Sequence, residues 1–258
     1  MKRVLKGNEP ATLIEFRAAE PTATWDDMRR DAFHNGRQAA KDCLEQTIAD
    51  QNGLCAYCEC KIDPQKPHRC RVEHFHPKSD ISTAYNWNLD WQNMIAACNG
   101  GETDEAPDTP LPDNLTCDAY KNHLINTGHL TCDVEKGMIN PLDLPAFPNV
   151  FTLNKGTGHF RPDLSACRQA GVNACKLQHT INVLNLNCNR LARSRRAVFL
   201  AIEKRKQALK GRQYSFQQAL DIMVKQYLDN QQPEYFSTYR CCLGQAAEDH
   251  LQNMNYNG

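Results

Sequence analysis

The segment Arg71-Val72-Glu73-His74-Phe75-His76-Pro77-Lys78-Ser79 places an acid and a histidine side by side at the end of a short run of strand-forming residues. Valine and phenylalanine favour a β-strand and the proline at position 77 ends it, so we predict a strand over residues 71–75. An acid followed by a histidine, and then by Pro-Lys-Ser, is an unusual end for a purely structural strand. This segment is therefore the first candidate for a functional site.

Four cysteines frame that strand: Cys55 and Cys58 precede it with C-x-x-C spacing, and Cys98 and Cys117 follow it. Paired cysteines at this spacing are typical of zinc sites, in which four thiolates close a tetrahedron. The two later cysteines can join the pair if the loop between them is an insertion whose ends meet. We therefore predict a structural zinc site at these four residues. Two neighbouring cysteines stay open as alternative ligands, Cys60 and Cys70. A redox role is disfavoured, because no βαβ pattern surrounds the pair.

The composition describes an ordinary globular protein. The chain has 258 residues, of which 41% are hydrophobic and 23% charged, enough for one large domain or two small ones. No apolar run approaches the roughly 18 residues of a membrane helix, and the first residues lack the apolar core of a signal peptide. We therefore expect the cytoplasm, a reducing compartment in which the 13 cysteines are metal ligands or buried apolar groups rather than disulfides.

Apolar periodicity and turn residues predict a mixture of helices and short strands, which is an α+β fold. Near the cysteines we predict a helix over residues 35–52, a helix start or short turn over 92–98, and a short helix over 117–124. Further along we predict a hairpin of residues 150–153 with 159–161, and then helices over 177–184, 191–209, 216–227 and 234–251.

The formal net charge of zero conceals two charged segments. Residues 190–212 hold nine basic side chains against the single acid Glu203, a net charge of +8. This stretch is suited to contacts with a phosphate backbone. A solvated helix face, or a surface for an acidic protein partner, explains the charge equally well. Residues 99–118 hold six acids and no lysine or arginine, so we expect this loop to meet a partner or to screen the site when the protein is idle.

The order of the candidate residues resembles the zinc-stapled HNH endonucleases. These residues are Glu73-His74, then Asn93 five positions before Cys98, then Cys117-Asp118-Ala119-Tyr120-Lys121. The chain departs from the usual motif in three ways. Asp118 stands where His or Asn is usual, Glu73 stands where Asp is common, and 18 residues separate the last two cysteines. The resemblance implies a ββα-metal nuclease core surrounded by a mostly helical remainder.

Four segments narrow the resemblance to the PtuB-type HNH nucleases of Septu anti-phage systems, some of which are joined to retrons. They are Leu54-Cys-Ala-Tyr-Cys-Glu59, Glu73-His-Phe-His-Pro-Lys-Ser79, Ile139-Asn-Pro-Leu-Asp143 and Thr180-Ile-Asn-Val-Leu-Asn-Leu-Asn187. The resemblance implies a nuclease effector that acts with a PtuA-like ATPase. In retron versions it also implies a reverse transcriptase and its DNA–RNA product as partners.

With this resemblance we divide the chain into three parts. Residues 1–34 are an N-terminal extension that can serve as a docking segment, and residues 35–125 carry the zinc and catalytic elements. Residues 126–258 form a mostly helical C-terminal region packed on that core. We expect no independent second domain.

Hydrolysis of a phosphodiester needs an activated water and a neutralised phosphate, and the candidate residues supply both. His74 is the expected general base, because a histidine with an ordinary pKa is mostly neutral at pH 7. Glu73 and Asp118 offer the oxygen ligands that a hard divalent cation prefers, Mg²⁺ or Mn²⁺. Asn93 is expected to hold the loop that carries the histidine, through hydrogen bonds from its amide to the backbone. We expect three further residues to contact substrate, His76, Lys78 and Lys121.

Several alternatives stay open at this point. Asp118 can simply cap the helix that begins beside it, and Asn99, directly after Cys98, is a competing third catalytic element. His76 can hydrogen-bond its own loop instead of substrate. A catalytically inactive, zinc-stabilised scaffold that binds nucleic acid or a protein is the competing function. The residues do not distinguish DNA from RNA as the substrate.

Overall fold

A computed structural model of the protein describes residues 1–80, 82–102, 110–131, 133–229 and 232–258, which contain ten α-helices and four short β-strands. In chain order these elements are α1 (Ala11–Ala19), α2 (Trp25–Arg30), α3 (Gly36–Asp50), β1 (Cys70–His74), β2 (Met94–Cys98), α4 (Cys117–Asn126), β3 (Phe151–Leu153), β4 (Phe160–Pro162), α5 (Leu164–Gln169), α6 (Ala174–Val183), α7 (Asn189–Gly211), α8 (Phe216–Leu228), α9 (Phe236–Leu243) and α10 (Gln245–Asn253). This mixture of helices and strands confirms the predicted α+β class.

An antiparallel pair, β1 and β2, followed by α4, forms the centre of the fold. Cys70 lies opposite Cys98 and His74 opposite Met94, so the acid–histidine pair is at one end of the sheet and the cysteines are at the other. The prediction of a helix start or turn over residues 92–98 was wrong for most of its length. A 3₁₀ turn spans only Trp91–Asn93, and β2 begins directly after it. Because all five residues of β2 are buried, its sequence shows no alternation from which a strand is recognised.

The two ends of the insertion between Cys98 and Cys117 meet. The backbone N–H of Thr116 donates to the carbonyl oxygen of Gly100 at 2.9 Å. Gly100 has a φ of +67°, and a Cβ at this position would lie 2.3 Å from the Thr116 carbonyl oxygen, so only glycine fits this crossing. The middle of the acidic segment, residues 103–109, lies outside the described residues, and its expected screening role stays a prediction.

The N-terminal residues pack directly on the β1–β2 region. Leu13, Phe16 and Met28 form one buried cluster with Trp91 and Met94, which flank the start of β2. The Arg17 guanidinium adds a hydrogen bond to the Leu89 carbonyl at 2.9 Å. Residues 1–34 thus contribute to the core beside the candidate site, and their use as a docking segment stays a prediction.

The C-terminal region consists of the β3–β4 hairpin and six helices among the described residues. The single helix predicted over residues 234–251 is in fact two helices, α9 and α10, because the chain turns at Gly244 with a φ of +60°. This region is tied to the first cysteine pair through Glu59, whose carboxylate accepts hydrogen bonds from the Ser237 N–H and hydroxyl. No helix in the described part of the chain is long and apolar enough to cross a membrane.

The basic stretch forms most of α7, and its cations divide into two groups. Arg195 is 1% exposed, and its guanidinium lies 4.2 Å from the centre of the Phe160 ring, so this arginine is part of the interior. The exposed cations are Arg193, Arg196, Lys204 and Lys210, with Arg212 at the C-cap of the helix. The helix therefore presents a positively charged surface with fewer cations than its sequence suggests.

The packing of α1 predicts a sharp contrast between two adjacent residues. Leu13 has no exposed surface whereas Ile14 is 48% exposed. Leu13→Ala should lower the free energy of unfolding by about 2–5 kcal/mol, because it removes buried methyl groups and leaves a cavity. The matched control Ile14→Ala should change it by no more than about 0.5 kcal/mol. Urea unfolding followed by circular dichroism measures both, and equal effects would contradict the packing described for this helix.

Candidate active site and metal centre

Four buried cysteines, Cys55, Cys58, Cys98 and Cys117, form a compact group whose sulfur atoms all lie within 4.8 Å of one another. The Sγ–Sγ distance is 3.8 Å for Cys55–Cys117, 3.6 Å for Cys58–Cys98 and 3.7 Å for Cys98–Cys117. A tetrahedral zinc with Zn–S bonds of about 2.3 Å requires S–S edges of about 3.8 Å. The donor set and its size therefore fit a structural metal such as zinc.

Three separate segments supply these sulfurs. Cys55 and Cys58 lie on the turn after α3, Cys98 ends β2 and Cys117 begins α4. The turn is held against β2 by a hydrogen bond from the Ala56 N–H to the Ala96 carbonyl at 3.0 Å. The group thus joins the turn, the sheet and the helix at one point.

The two alternative ligands lie outside this group. The Cys70 thiol donates to the Asp63 carbonyl oxygen at 3.3 Å, so its sulfur has a backbone partner. The Cys60 sulfur lies 3.3 Å from that of Cys58 but is not one of the four that lie within 4.8 Å of one another. The geometry therefore favours the four cysteines predicted from the spacing.

A cleft of about 750 Å³ runs along β1 between α3 and α4. Five of the predicted site residues line it: Glu73, His74, Lys78, Asp118 and Lys121. Asn93 and His76 are not among the described residues that line it, and neither is the competing residue Asn99, whose side-chain oxygen accepts a hydrogen bond from the Gly101 N–H at 3.3 Å. Of the two candidates for the third catalytic element, the fold brings Asp118 to the cleft.

His74 is 8% exposed and held in one orientation. Its Nε2 lies 3.0 Å from the carbonyl oxygen of Asn88, and its ring meets the Trp25 ring edge-on at 5.1 Å between centroids. A carbonyl oxygen can only accept, so Nε2 carries the proton and Nδ1 keeps a free lone pair. Burial lowers the pKa of His74 to about 4, which keeps the ring neutral near pH 7.

Two carboxylates and two cations meet beside this histidine. Lys121 forms an ion pair with Glu73, and Arg71 Nη1 lies 3.6 Å from Asp118 Oδ2. Asp118 is 1% exposed, and its Oδ1 has no hydrogen-bond partner among the described residues. Burial, and then the neighbouring charge of Glu73, raise the pKa of Asp118 to about 8. A buried oxygen without a partner beside a second carboxylate is a site where a cation fits.

Asp118 is not the cap of its helix. Thr116 occupies the N-cap position of α4, and Asp118 lies in the first turn after it. The structural alternative for this residue is therefore not realised, and the carboxylate is directed by the helix start into the cleft.

Asn93 holds the loop that follows β1. Its side-chain oxygen accepts a hydrogen bond from the His76 N–H at 2.7 Å, and its amide donates to the carbonyls of His76 and Trp87, both at 3.0 Å. These three bonds join the two chain segments on either side of residues 77–86. The segment that ends with the Asn88 carbonyl is thereby held near His74.

The remaining predicted contacts are less buried. Lys78 is half-exposed, with its Nζ 3.9 Å from an oxygen of Asp26. The His76 ring packs against the tilted Trp87 ring and lies between the carboxylates of Asp80 and Glu135. The loop bonding that was the open alternative for His76 is thus present.

Sequence reasoning missed four residues of this site. Trp25 and Asn88 orient the histidine, Arg71 pairs with Asp118, and Glu135 lines the cleft. Arg71 alone carried a signal, because it lies two residues before Glu73 and so points to the same face of the strand. The others come from distant segments without a motif of their own.

Comparisons with known proteins agree with this architecture. No family model matches the chain. It is 38% identical over 205 residues to the "Retron Ec83 putative HNH endonuclease" of Escherichia coli, a match that covers 76% of this chain and 78% of that protein. It is also 35% identical over 130 residues to the "Septu protein PtuB" of Bacillus thuringiensis, covering 48% of this chain and 46% of the relative. The chain therefore belongs to the PtuB-type HNH nuclease family of retron and Septu anti-phage defence systems.

Proposed function

We propose that the protein is a divalent-metal-dependent endonuclease that hydrolyses phosphodiester bonds of nucleic acid as the effector of its defence system. The observation that carries this proposal is the orientation of His74. Its ring is neutral, with Nε2 bound to a carbonyl and Nδ1 without a hydrogen-bond partner among the described residues, in a cleft that two carboxylates also line. A buried neutral imidazole with one free nitrogen is suited to accept a proton from water.

In the proposed reaction, His74 Nδ1 takes a proton from the attacking water. The water oxygen forms a bond to phosphorus while the bond from phosphorus to the 3′ oxygen breaks. The Asn88 carbonyl holds Nε2–H throughout, so the ring keeps its direction as it becomes imidazolium. Glu73 and Asp118 would hold a divalent cation, Mg²⁺ or Mn²⁺, which would supply Lewis-acid neutralisation of the phosphate and the leaving oxygen when bound. Lys121 and Lys78 are the proposed phosphate contacts.

The four-cysteine group is proposed to hold zinc in a structural role. Its sulfurs are buried, and four protein ligands leave no position for substrate, as in structural zinc sites generally. The zinc would fix the start of α4, and with it Asp118 and Lys121.

The proposed partners are a PtuA-like ATPase, and in a retron setting a reverse transcriptase with its DNA–RNA product. The names of the two relatives support a place in such a system. The exposed cations of α7 support contact with a phosphate backbone or an acidic protein surface. Both DNA and RNA are compatible substrates.

One observation favours the second candidate, an inactive scaffold. In the structure each candidate metal-binding carboxylate already faces a cation, Glu73 facing Lys121 and Asp118 facing Arg71. A scaffold of this kind would bind nucleic acid without cleaving it, so a cleavage assay separates the two functions.

Replacing the base tests the nuclease. His74→Ala should lower the rate of metal-dependent cleavage of single- or double-stranded DNA or RNA by about 10²–10⁴-fold, because the water loses its proton acceptor. His129→Ala, an exposed histidine outside the cleft, is the matched control and should cleave at the wild-type rate. Equal rates for all three proteins would remove His74 from the mechanism. No cleavage by the wild type in the assembled defence complex would favour the scaffold.

The hydrogen bonds of Asn93 predict that replacing this residue lowers the cleavage rate but leaves the bound zinc in place. Asn93→Ala removes three bonds to the loop and lets the Asn88 carbonyl move relative to His74. Misplacement of a catalytic group by about 1 Å costs on the order of 10²-fold, and we expect a fall in kcat of that size. Single-turnover kinetics at saturating substrate measures it, with zinc content as the folding control. A change in KM alone would contradict this positioning role.

The sulfur geometry predicts which cysteines retain zinc. Cys98→Ser should lower bound zinc from one equivalent per chain to a small fraction and should lower the melting temperature. Cys70→Ser replaces an equally buried thiol outside the group and should keep one equivalent. Elemental analysis of the purified proteins decides the question. Loss of zinc in both variants, or in neither, would contradict the assignment.

A further inference from the structure

His76 lies between two carboxylates, one at each ring nitrogen. Nε2 is 2.8 Å from Asp80 Oδ2 and Nδ1 is 3.4 Å from Glu135 Oε1. The Trp87 ring packs against the imidazole, tilted by 39° at 4.1 Å between centroids, and limits its rotation. The side chain is therefore held with both nitrogens directed at defined oxygens.

The Asp80 carboxylate determines which nitrogen carries a proton. Hydrogen bonds from Ser82 and His76 lower the pKa of Asp80 to about 2, so this carboxylate accepts and does not donate. Nε2 is consequently a donor, and in the neutral ring Nδ1 presents a lone pair to Glu135. Two acceptors that face each other at this distance require a cation between them, either a proton or a metal ion.

The surroundings of Glu135 indicate that the cation is a metal ion and not a proton. The residue is 8% exposed, and its Oε2 is buried without a hydrogen-bond partner among the described residues. A proton on Nδ1 satisfies Oε1 only, whereas a metal ion can also bind Oε2. A histidine that binds a metal ion through one nitrogen usually donates the N–H of its other nitrogen to a carboxylate, which fixes the tautomer and orients the ring. Asp80 at Nε2 matches that carboxylate.

We propose that His76 Nδ1 and Glu135 bind a divalent transition-metal ion, at a second site that adjoins the cleft of Glu73 and Asp118 through Glu135. A mixed nitrogen and oxygen donor set suits Mn²⁺ or Zn²⁺ better than the oxygen-selective Mg²⁺. Two protein residues leave coordination positions open to water or to a substrate phosphate. Since Glu135 lines the cleft, a phosphate that neighbours the scissile one is the natural ligand.

Counting bound Mn²⁺ tests the proposal without any measurement of nuclease activity. The zinc-loaded full chain is titrated with Mn²⁺, and the free ion is measured by electron paramagnetic resonance. The wild type should bind two ions per chain, and Glu135→Gln and His76→Gln should each bind one. Glu73→Gln should also bind one, at the second site. Trp87 provides a local signal, because Mn²⁺ bound at His76 should quench its fluorescence in the wild type but not in Glu135→Gln.

The outcomes separate this proposal from the proposed nuclease function. Zinc content and melting temperature confirm that the near-isosteric glutamine variants are folded. One ion in the wild type that is unaffected by Glu135→Gln would overturn the proposal. Loss of one ion in Glu135→Gln with none lost in Glu73→Gln would support this site while contradicting the metal role of Glu73.

Discussion

The contact among four buried thiols joins three segments that are far apart in the sequence. The turn after α3, the end of β2 and the start of α4 meet at one point, with sulfur–sulfur distances of 3.6–3.8 Å. Thiols packed so closely without a metal gain little, whereas four thiolates around zinc contribute directly to folding. The candidate active site depends on this four-cysteine group in two ways. The helix α4 carries Asp118 and Lys121, and β2 sets the register of β1 and therefore the position of Glu73.

Burial dominates the electrostatics of the cleft. His74 and Asp118 both lose contact with water, and in each case desolvation is the largest influence on the pKa. For the histidine the consequence is useful, since a neutral ring is the form that accepts a proton. For Asp118 burial is unfavourable unless the charge is balanced, and Arg71 at 3.6 Å balances it only in part. A catalytic cation would supply the positive charge that Asp118 still lacks beside Arg71.

The sequence predicts best those features that depend on local spacing. The C-x-x-C pair, the strand with its terminal acid and histidine, and the short helix after Cys117 were all recognisable from neighbouring residues. The strand β2 was not, because complete burial removes the alternation that marks a strand. Trp25 and Asn88 were not either. Trp25 reaches His74 only after the N-terminal helices pack on the sheet, and Asn88 reaches it only through the loop that Asn93 holds. Asp118 could be proposed as a ligand from the motif, but its unpartnered oxygen is a property of the folded chain.

The position of the insertion explains how this chain tolerates 18 residues within its metal site. Gly100 and Thr116 join the two ends of the insertion by a backbone hydrogen bond, two residues after Cys98 and one residue before Cys117. The entropic cost of closing a loop rises slowly with the length of the loop. Because the two ends of the insertion are joined, the arrangement of the four sulfurs depends little on the residues between them. The inserted segment can thus vary in length and charge while the four-cysteine group, α4 and Asp118 keep their positions.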